Sequence, residues 1–509
     1  MSTGVLTASG DATPPPPQYT TGDVEKQEKQ TDVVDERRTS ESSATRLLNE
    51  VLARGKVEGH GIVPLPVEDR TATRYYNVFT MWFSMNTNIL AVTFGMLGPA
   101  YGLNLRDSAL VILFFTLLVS VLPAYLGTLG PKTGMRQMIQ ARFSFGRYLV
   151  SIPVLLNLAT LTGFCVIICV IGGQCISAVN SNVSANVGIV IVALCAMVIS
   201  FCGFKILHWY EMVAWAPALL TIVIATGCGG SQLHMQVQPA EPATAAAVLS
   251  FGMIVASYMI PWACLASDFT TYFNPAAPSW RIFLYAYLGV VVPTVPLMTL
   301  GAAIGGAIPS VPSWEEGYGS NLVGGVLAAM LQRAGGFGSF VVVVLALTLL
   351  GNLAGTMYSI TLNFQTLVPW LTHVPRYVFS VVVTAVVIPV SIRAAVDFFD
   401  NLENFVGLIG YWSAAFVGVV VAEHWVFRKG DCAEYEHAAW NNARMLPTGV
   451  PAIVACVLAF GLIVPCMAQI WFTGPIAKTT GDIGFEVALV LTPLLYVPLR
   501  WLERRYLGR

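Results

Sequence analysis

Several polar side chains lie inside stretches that are otherwise apolar enough to cross a membrane. Ser84 and Asn86 occur within the stretch from 77 to 101, followed by Thr87 and Asn88. A polar group at membrane depth needs a hydrogen-bond partner or contact with water, and it often marks a functional site. Hydrogen bonds between packed helices are the structural alternative. We interpret this stretch as an interrupted helix in which Ser84 and Asn86 face a substrate cavity.

A second interruption is predicted near Pro261. This residue lies between Tyr258 and Trp262 in the apolar stretch from 247 to 268, which ends at Asp268. Proline removes a backbone N–H and frees carbonyls earlier in the helix. Freed backbone groups are tolerated at membrane depth only against protein or a water-lined cavity. Interruptions at corresponding places in two halves of a chain are typical of transporters, so we predict that Trp262 binds substrate and that Asp268 gates or couples transport.

The third and eighth apolar stretches contribute further candidates. A flat heterocycle is held well between aromatic faces, while amides and hydroxyls form hydrogen bonds with the polar atoms at its edge. Phe164 and Gln174 lie in the third stretch and Asn352 lies in the eighth. The predicted substrate-binding set is Ser84, Asn86, Phe164, Gln174, Trp262 and Asn352.

The elements that must position these residues follow from composition. Of the 509 residues, 55% are hydrophobic and only 11% are charged, with a mean hydropathy of +0.68. Soluble domains carry about 25% charged residues, and about 20 apolar residues span a bilayer. Twelve apolar stretches follow one another, at 77–101, 107–129, 149–179, 187–206, 213–230, 247–268, 282–308, 338–366, 375–394, 403–427, 448–472 and 483–502. These features predict an all-α polytopic membrane protein with about twelve transmembrane helices.

Other classes of function find little support in the sequence. The net charge is −1, which gives no global field for nucleic acid. The six histidines are dispersed, the ten cysteines lack metal-ligand spacing, and the usual hydrolase and metalloprotease motifs do not occur. We therefore expect no enzyme, no catalytic residues, no metal site, no prosthetic group and no nucleic-acid partner.

The placement of Lys and Arg predicts orientation. Basic residues concentrate on one side of the twelve stretches, which places both termini in the cytoplasm by the positive-inside rule. Residues 1–75 are polar and predict a disordered cytoplasmic tail, followed by a ten-helix transport core at 76–430 and two additional helices at 431–509. Lysines and serines in the tail suggest contact with trafficking or ubiquitination machinery. The sequon at Asn182 lies on the outer side and is a candidate glycosylation site.

The chain also contains motifs that resemble those of a known family. They are 82–86 (WFSMN), 130–134 (GPKTG), 137–146 (QMIQARFSFG), 172–174 (GGQ), 266–270 (ASDFT), 357–359 (MYS), 404–405 (NF), 409–412 (IGYW) and 423–424 (EH). In order and spacing the chain resembles the fungal purine-cytosine permease group of the nucleobase-cation-symport-1 family. The resemblance implies a LeuT-like five-plus-five inverted repeat with unwound helices 1 and 6 and two extra C-terminal helices.

The resemblance also implies a function. It implies proton-coupled uptake of a purine or cytosine-type nucleobase, or a nucleoside, at the plasma membrane, with Ser84 and Asn352 at the substrate. Two amides of the family pattern are replaced here by Ile168 and Leu353, so a vitamin such as pyridoxine, or another heterocycle, fits equally well. A membrane sensor with the transporter fold is a further alternative. Sodium coupling stays open, because its ligands would be carbonyls and hydroxyls.

Overall fold

The apolar stretches fold into helices throughout the region that the structure covers. This computed structural model describes residues 61–508, apart from 181, 202, 203, 369, 372, 373 and 375. Within that region, eight helices are long and apolar enough to cross a membrane. Shorter apolar helices complete a set of about twelve membrane segments, at Ile89–Ala100, Ala185–Ser200, Val378–Ala394 and Val450–Cys466. The predicted all-α polytopic architecture is confirmed.

We number the membrane segments 1 to 12 in chain order. Segments 1 to 6 comprise Tyr76–Asn86 with Ile89–Gly95 and Leu97–Ala100 (1), Leu105–Val119 with Val121–Gly127 and Leu129–Thr133 (2), Ser151–Val179 (3), Ala185–Phe201 (4), Phe204–Gly229 (5), and Ala245–Met259 with the 3₁₀ turns Ile260–Cys264 and Ala266–Phe269 (6). Segments 7 to 12 comprise Ser279–Ala307 (7), Gly335–Leu347 with Leu349–Leu367 (8), Arg376–Ala394 (9), Phe398–Ala422 with the π-helical turn Glu423–Phe427 (10), Val450–Cys466 (11) and Gly484–Leu507 (12).

The connections between segments carry short elements of their own. Helix Pro312–Leu331 lies between segments 7 and 8 and is kinked at Leu322, whose φ is 45°. Between segments 11 and 12, strands Ala468–Gln469 and Phe472–Thr473 pair antiparallel. Asn182 is exposed in the connection between segments 3 and 4, and its glycosylation stays a prediction. The remaining short helices are Val67–Asp69, Gln137–Gln140, Arg142–Phe145, Ile308–Ser310, Gln332–Ala334, Cys432–Glu434, His437–Ala439 and Ala477–Thr480.

The segments differ greatly in how far other parts of the protein enclose them. The most apolar window is 83% buried in segment 10, 78% in segment 6 and 72% in segment 3, but only 28% in segments 5 and 12. The polar side chains of segments 3, 6 and 10 therefore face protein rather than lipid. A solute cavity is expected among these central segments.

The N-terminal boundary of the folded core differs from the prediction. Residues 1–60 lie outside the described residues, so that part of the predicted tail stays a prediction. Residues 61–75, which we call the N-terminal strap, are not a solvated spacer: Leu65 donates its N–H to the Gly134 carbonyl at 2.9 Å, and Ala72 donates to the Tyr272 carbonyl at 3.1 Å. The buried Arg70 donates to the carbonyls of Pro131 and Lys132. The prediction of disorder up to residue 75 was wrong for the strap, because these bonds and the buried Ile62 and Leu65 side chains fix it.

The strap gives a first testable prediction. Arg70→Gln removes bonds from a charged donor to two carbonyls, and such bonds contribute about 1.5–3 kcal/mol each when intact. The backbone amides of Leu65 and Ala72 should then exchange hydrogen with solvent at least about tenfold faster. Exchange measured by mass spectrometry checks this, with Arg74→Gln as the matched control, since Arg74 is exposed in the same strap. Equal exchange in the two variants would contradict the role assigned to Arg70.

Candidate substrate site

Segment 1 is interrupted after Asn86, as the polar residues predicted. Asn88 caps the second half of the segment, because its side-chain oxygen accepts the Leu90 N–H at 2.9 Å. Its amide nitrogen donates to the Met85 carbonyl at 2.7 Å. Asn352 of segment 8 donates to the same carbonyl at 3.1 Å. Two side-chain amides therefore satisfy a backbone group that the interruption releases.

Segment 6 contains the second interruption. Its regular helix ends at Met259, and the chain continues in 3₁₀ turns as far as Phe269. Pro261 lies in the first of these turns, where its missing N–H and fixed φ favour a change of helix geometry. The predicted break at Pro261 is confirmed.

A small cavity lies between the two interruptions. Its volume is about 20 Å³, which is room for roughly one water molecule. Segments 1, 3, 6 and 8 line it through Leu90, Leu161, Phe164, Tyr258, Pro261, Trp262, Leu265, Asn352 and Thr356. Because this volume is far below that of any heterocycle, a solute can bind here only if the lining side chains move apart.

The structure brings together some of the predicted site residues and separates others. Phe164, Trp262 and Asn352 line the cavity, from segments 3, 6 and 8 respectively. Ser84 and Asn86 are buried on the first half of segment 1 but do not line it. The Asn86 amide nitrogen donates to the Trp82 carbonyl at 2.9 Å, so this side chain supports the end of its own helix.

Gln174 does not lie at this cavity. It packs against helix Pro312–Leu331, where a Cβ on Gly324 would meet the Gln174 carbonyl carbon at 2.3 Å. Ten helical residues separate Gln174 from Phe164, which is about 15 Å along segment 3. Gln174 therefore does not line this cavity with Asn352, and its role in substrate binding stays a prediction.

Sequence reasoning also missed parts of the lining. Thr356 follows Asn352 by one helical turn, a spacing that places both on one face of segment 8. Leu90, which the sequence did not distinguish from other apolar residues, lines the cavity from segment 1. Ile168 and Leu353, which stand where the family pattern has amides, are fully buried and do not line the cavity.

Asp268 lies in a polar cluster beside the end of segment 6. One of its carboxylate oxygens accepts the Gln137 N–H at 2.9 Å, and its backbone carbonyl accepts a bond from the Arg136 guanidinium. Arg136 also donates to the Tyr272 hydroxyl and lies over the rings of Tyr272 and Tyr358, at 5.2 and 5.9 Å. We call Arg136, Gln137, Asp268 and Tyr272 the Asp268 cluster. It ties the connection between segments 2 and 3 to segments 6 and 8.

A pair of phenylalanines closes the cavity on another side. Phe164 lines the small cavity, and its ring meets that of Phe405 at 5.9 Å and 75°. Phe405 also lines a second cavity of about 820 Å³ between segments 3, 9 and 10. A Cβ on Gly163 would lie 1.9 Å from the Phe405 ring, so glycine is what allows this ring to approach segment 3. The Phe164–Phe405 pair separates the two cavities.

The C-terminal end of segment 1 is tied to segment 10 nearby. The Tyr101 hydroxyl donates to the Glu403 carboxylate. Opening between segments 1 and 10 must break this bond.

A helical bundle with two interrupted segments around a central cavity, closed by a polar cluster and an aromatic pair, defines a membrane transporter. Comparison with known proteins specifies which kind. A family described as permeases for cytosine/purines, uracil, thiamine and allantoin matches residues 64–487. The purine-cytosine permease fcyB of Emericella nidulans is 33% identical over 469 residues, covering 91% of this chain and 92% of that protein. The vitamin B6 transporter TPN1 of Saccharomyces cerevisiae is 27% identical over 512 residues, covering 89% and 88%.

A solved structure shares the fold. Mhp1, a nucleobase-cation-symport-1 family transporter in a closed conformation with bromovinylhydantoin bound, has a TM-score of 0.65 at 17% identity, covering 87% of this chain and 95% of that one. The chain belongs to the permease family for cytosine/purines, uracil, thiamine and allantoin. It is thus a multi-pass membrane transport protein, and the LeuT-like fold expected from its sequence is confirmed.

The Asp268 cluster gives a second prediction. Asp268→Asn keeps an oxygen for the Gln137 N–H but removes the negative charge of the side chain that accepts this bond. Transport should fall by about tenfold or more, since bonds to charged groups contribute about 1.5–3 kcal/mol. Initial uptake rates normalised to surface protein check this. Asp107→Asn, at the opposite end of segment 2, is the matched control and should transport normally; equal rates in both variants would remove Asp268 from the transport cycle.

Proposed function

We propose that the protein carries a small nitrogen heterocycle, of the purine or cytosine type, into the cell by proton-coupled symport. The observation that carries this proposal is the cavity between the two interruptions, where Phe164 and Trp262 offer aromatic rings and Asn352 and Thr356 offer polar groups. Such a lining suits a flat heterocycle. The similarity to the purine-cytosine permease fcyB supports this substrate class.

Transport would proceed by alternating access. The Asp268 cluster acts as the cytoplasmic gate. The Phe164–Phe405 pair and the Tyr101–Glu403 bond together act as the gate on the outer side. Each barrier is built from contacts between different segments, so rocking one group of segments against another opens one barrier at a time. No covalent step with the solute is needed.

The proposed coupling ion is the proton. Asp268 is a buried carboxylate in the cytoplasmic gate, and its charge beside Arg136 would change on protonation. Gating and proton coupling would then share one residue. Sodium is the alternative driving ion, since carbonyls and hydroxyls at the interruptions are suitable ligands for it.

A vitamin B6-like solute is the second candidate substrate. The similarity to the transporter TPN1 extends over nine-tenths of the chain and favours it. A non-transporting sensor with the same fold is the third hypothesis. Measured uptake of a solute distinguishes it from a nucleobase transporter and from a vitamin B6-like transporter.

We further propose a plasma-membrane location with both termini in the cytoplasm. This orientation places Lys132, Arg136 and Arg142, all in or beside the connection between segments 2 and 3, on the inner side. The tail then lies where trafficking or ubiquitination machinery could reach it. Accessibility of epitope tags at each terminus before and after permeabilisation tests the orientation.

The function itself is tested by uptake in a permease-deficient cell. Labelled adenine, cytosine and pyridoxine are offered in turn, at acidic and neutral external pH, with and without an uncoupler. Saturable uptake of adenine or cytosine, stimulated by acid and abolished by the uncoupler, is the expected result.

Other outcomes separate the alternatives. Uptake of pyridoxine alone would support a vitamin B6-like substrate. Uptake that depends on sodium rather than on pH would show that sodium, not the proton, is the coupling ion. Surface expression without uptake of any of the three would contradict the proposal, and ligand binding without uptake would then favour the sensor.

A further inference from the structure

Two polar atoms at the cavity have no hydrogen-bond partner among the described residues. They are the hydroxyl of Tyr258 and the indole Nε1 of Trp262, one helical turn apart on the interrupted segment 6. Both side chains are buried, with 2% and 7% of their surface exposed. Buried polar groups are nearly always paired, so unpaired atoms on two side chains that line one cavity point to a ligand there.

Neighbouring aromatic rings hold both side chains in place. The Tyr258 ring packs against Phe94 with centroids 4.8 Å apart at 60°. The Trp262 ring packs edge-on against Trp82 at 5.3 Å and 86°. These contacts limit rotation of either ring towards another partner. The two contacts therefore hold the hydroxyl and the indole N–H beside the cavity until the lining side chains move apart.

The side-chain amide of Asn352, which lines the same cavity, already makes hydrogen bonds within the protein. Asn352 donates from its amide nitrogen to the Met85 carbonyl, and its side-chain oxygen is 3.4 Å from the Thr356 hydroxyl. The Thr356 hydroxyl itself donates to the Asn352 carbonyl at 2.8 Å. Asn352 thus uses one of its two N–H donors on the interrupted helix, whereas the polar atoms of Tyr258 and Trp262 have no partner among the described residues.

We propose that Tyr258 is a specificity-determining residue whose hydroxyl, with the Trp262 indole N–H, binds the edge of the heterocycle. This inference rests on the proposed function. An indole N–H only donates, so the edge that faces Trp262 carries an acceptor, such as a carbonyl oxygen or an unprotonated ring nitrogen. The phenol can donate to a second acceptor or accept from an adjacent N–H. A site of this kind rejects analogues that lack the acceptor.

The experiment compares nucleobase analogues across matched variants. Competition by adenine and by its 1-, 3- and 7-deaza analogues, each of which replaces one ring nitrogen by C–H, is measured against uptake of labelled adenine, with cytosine as the label if the protein prefers it. The variants are Tyr258→Phe and Trp262→Phe. Tyr287→Phe is the control, because its hydroxyl bonds to the Leu117 carbonyl away from the cavity. Surface protein is measured for each.

The expected result is a loss of discrimination. In the unmodified protein, at least one deaza analogue should compete about tenfold less well than its parent base. In Tyr258→Phe or Trp262→Phe, the parent base should compete about tenfold less well than in the unmodified protein. The difference between the parent base and that deaza analogue should largely disappear. Tyr287→Phe should preserve it.

Two results would overturn the inference in different ways. If the unmodified protein transports nucleobases but discriminates identically in all variants that reach the surface, the assignment of Tyr258 and Trp262 is wrong and the proposed function stands. If the unmodified protein takes up no nucleobase, the proposed function fails and the inference fails with it.

Discussion

A backbone polar group cannot be left unpaired inside a bilayer, and the centre of this protein is arranged around that constraint. Segment 1 breaks after Asn86, and the released Met85 carbonyl accepts bonds from Asn88 and from Asn352 of segment 8. Segment 6 changes to 3₁₀ geometry where Pro261 lacks an N–H. Both interruptions can exist only because other central segments enclose them, which leaves polar atoms beside a cavity that lipid does not reach.

The same enclosure links the cavity to the Asp268 cluster. Trp82 contacts Trp262 at the cavity and Phe269 at the end of segment 6, with centroids 5.3 and 5.7 Å apart. Phe269 stacks on Tyr358, and Arg136 of the cluster lies over the Tyr358 ring. A solute that displaces Trp262 therefore disturbs a continuous series of ring contacts that ends at the proposed gate. Packed rings of this kind provide a physical route from substrate binding to gate opening.

Much of this organisation could be predicted from sequence, because membrane depth makes polar residues and proline conspicuous. The breaks at Asn86 and Pro261 and the lining by Phe164, Trp262 and Asn352 were predicted in this way. That Gln174 does not line the same cavity could not be foreseen, because an apolar helix 29 residues long gives no sign of which of its turns faces the cavity. The strap was missed for a different reason: Arg70 binds carbonyls, and backbone acceptors are present in every sequence. Asn352 bonds to the interrupted segment 1, whereas the Tyr258 hydroxyl has no partner among the described residues. Only the fold determines which polar atoms already have partners.

The central claim is that the solute binds between the interruptions of segments 1 and 6. A cryo-electron microscopy structure of the protein in lipid nanodiscs with the nucleobase that it takes up tests this most directly. The account predicts density for one flat ring against Phe164, within hydrogen-bond distance of the Tyr258 hydroxyl and the Trp262 indole nitrogen, in a cavity enlarged from about 20 Å³. Density for the base only in the cavity of about 820 Å³ between segments 3, 9 and 10, with the central cavity unchanged, would contradict it.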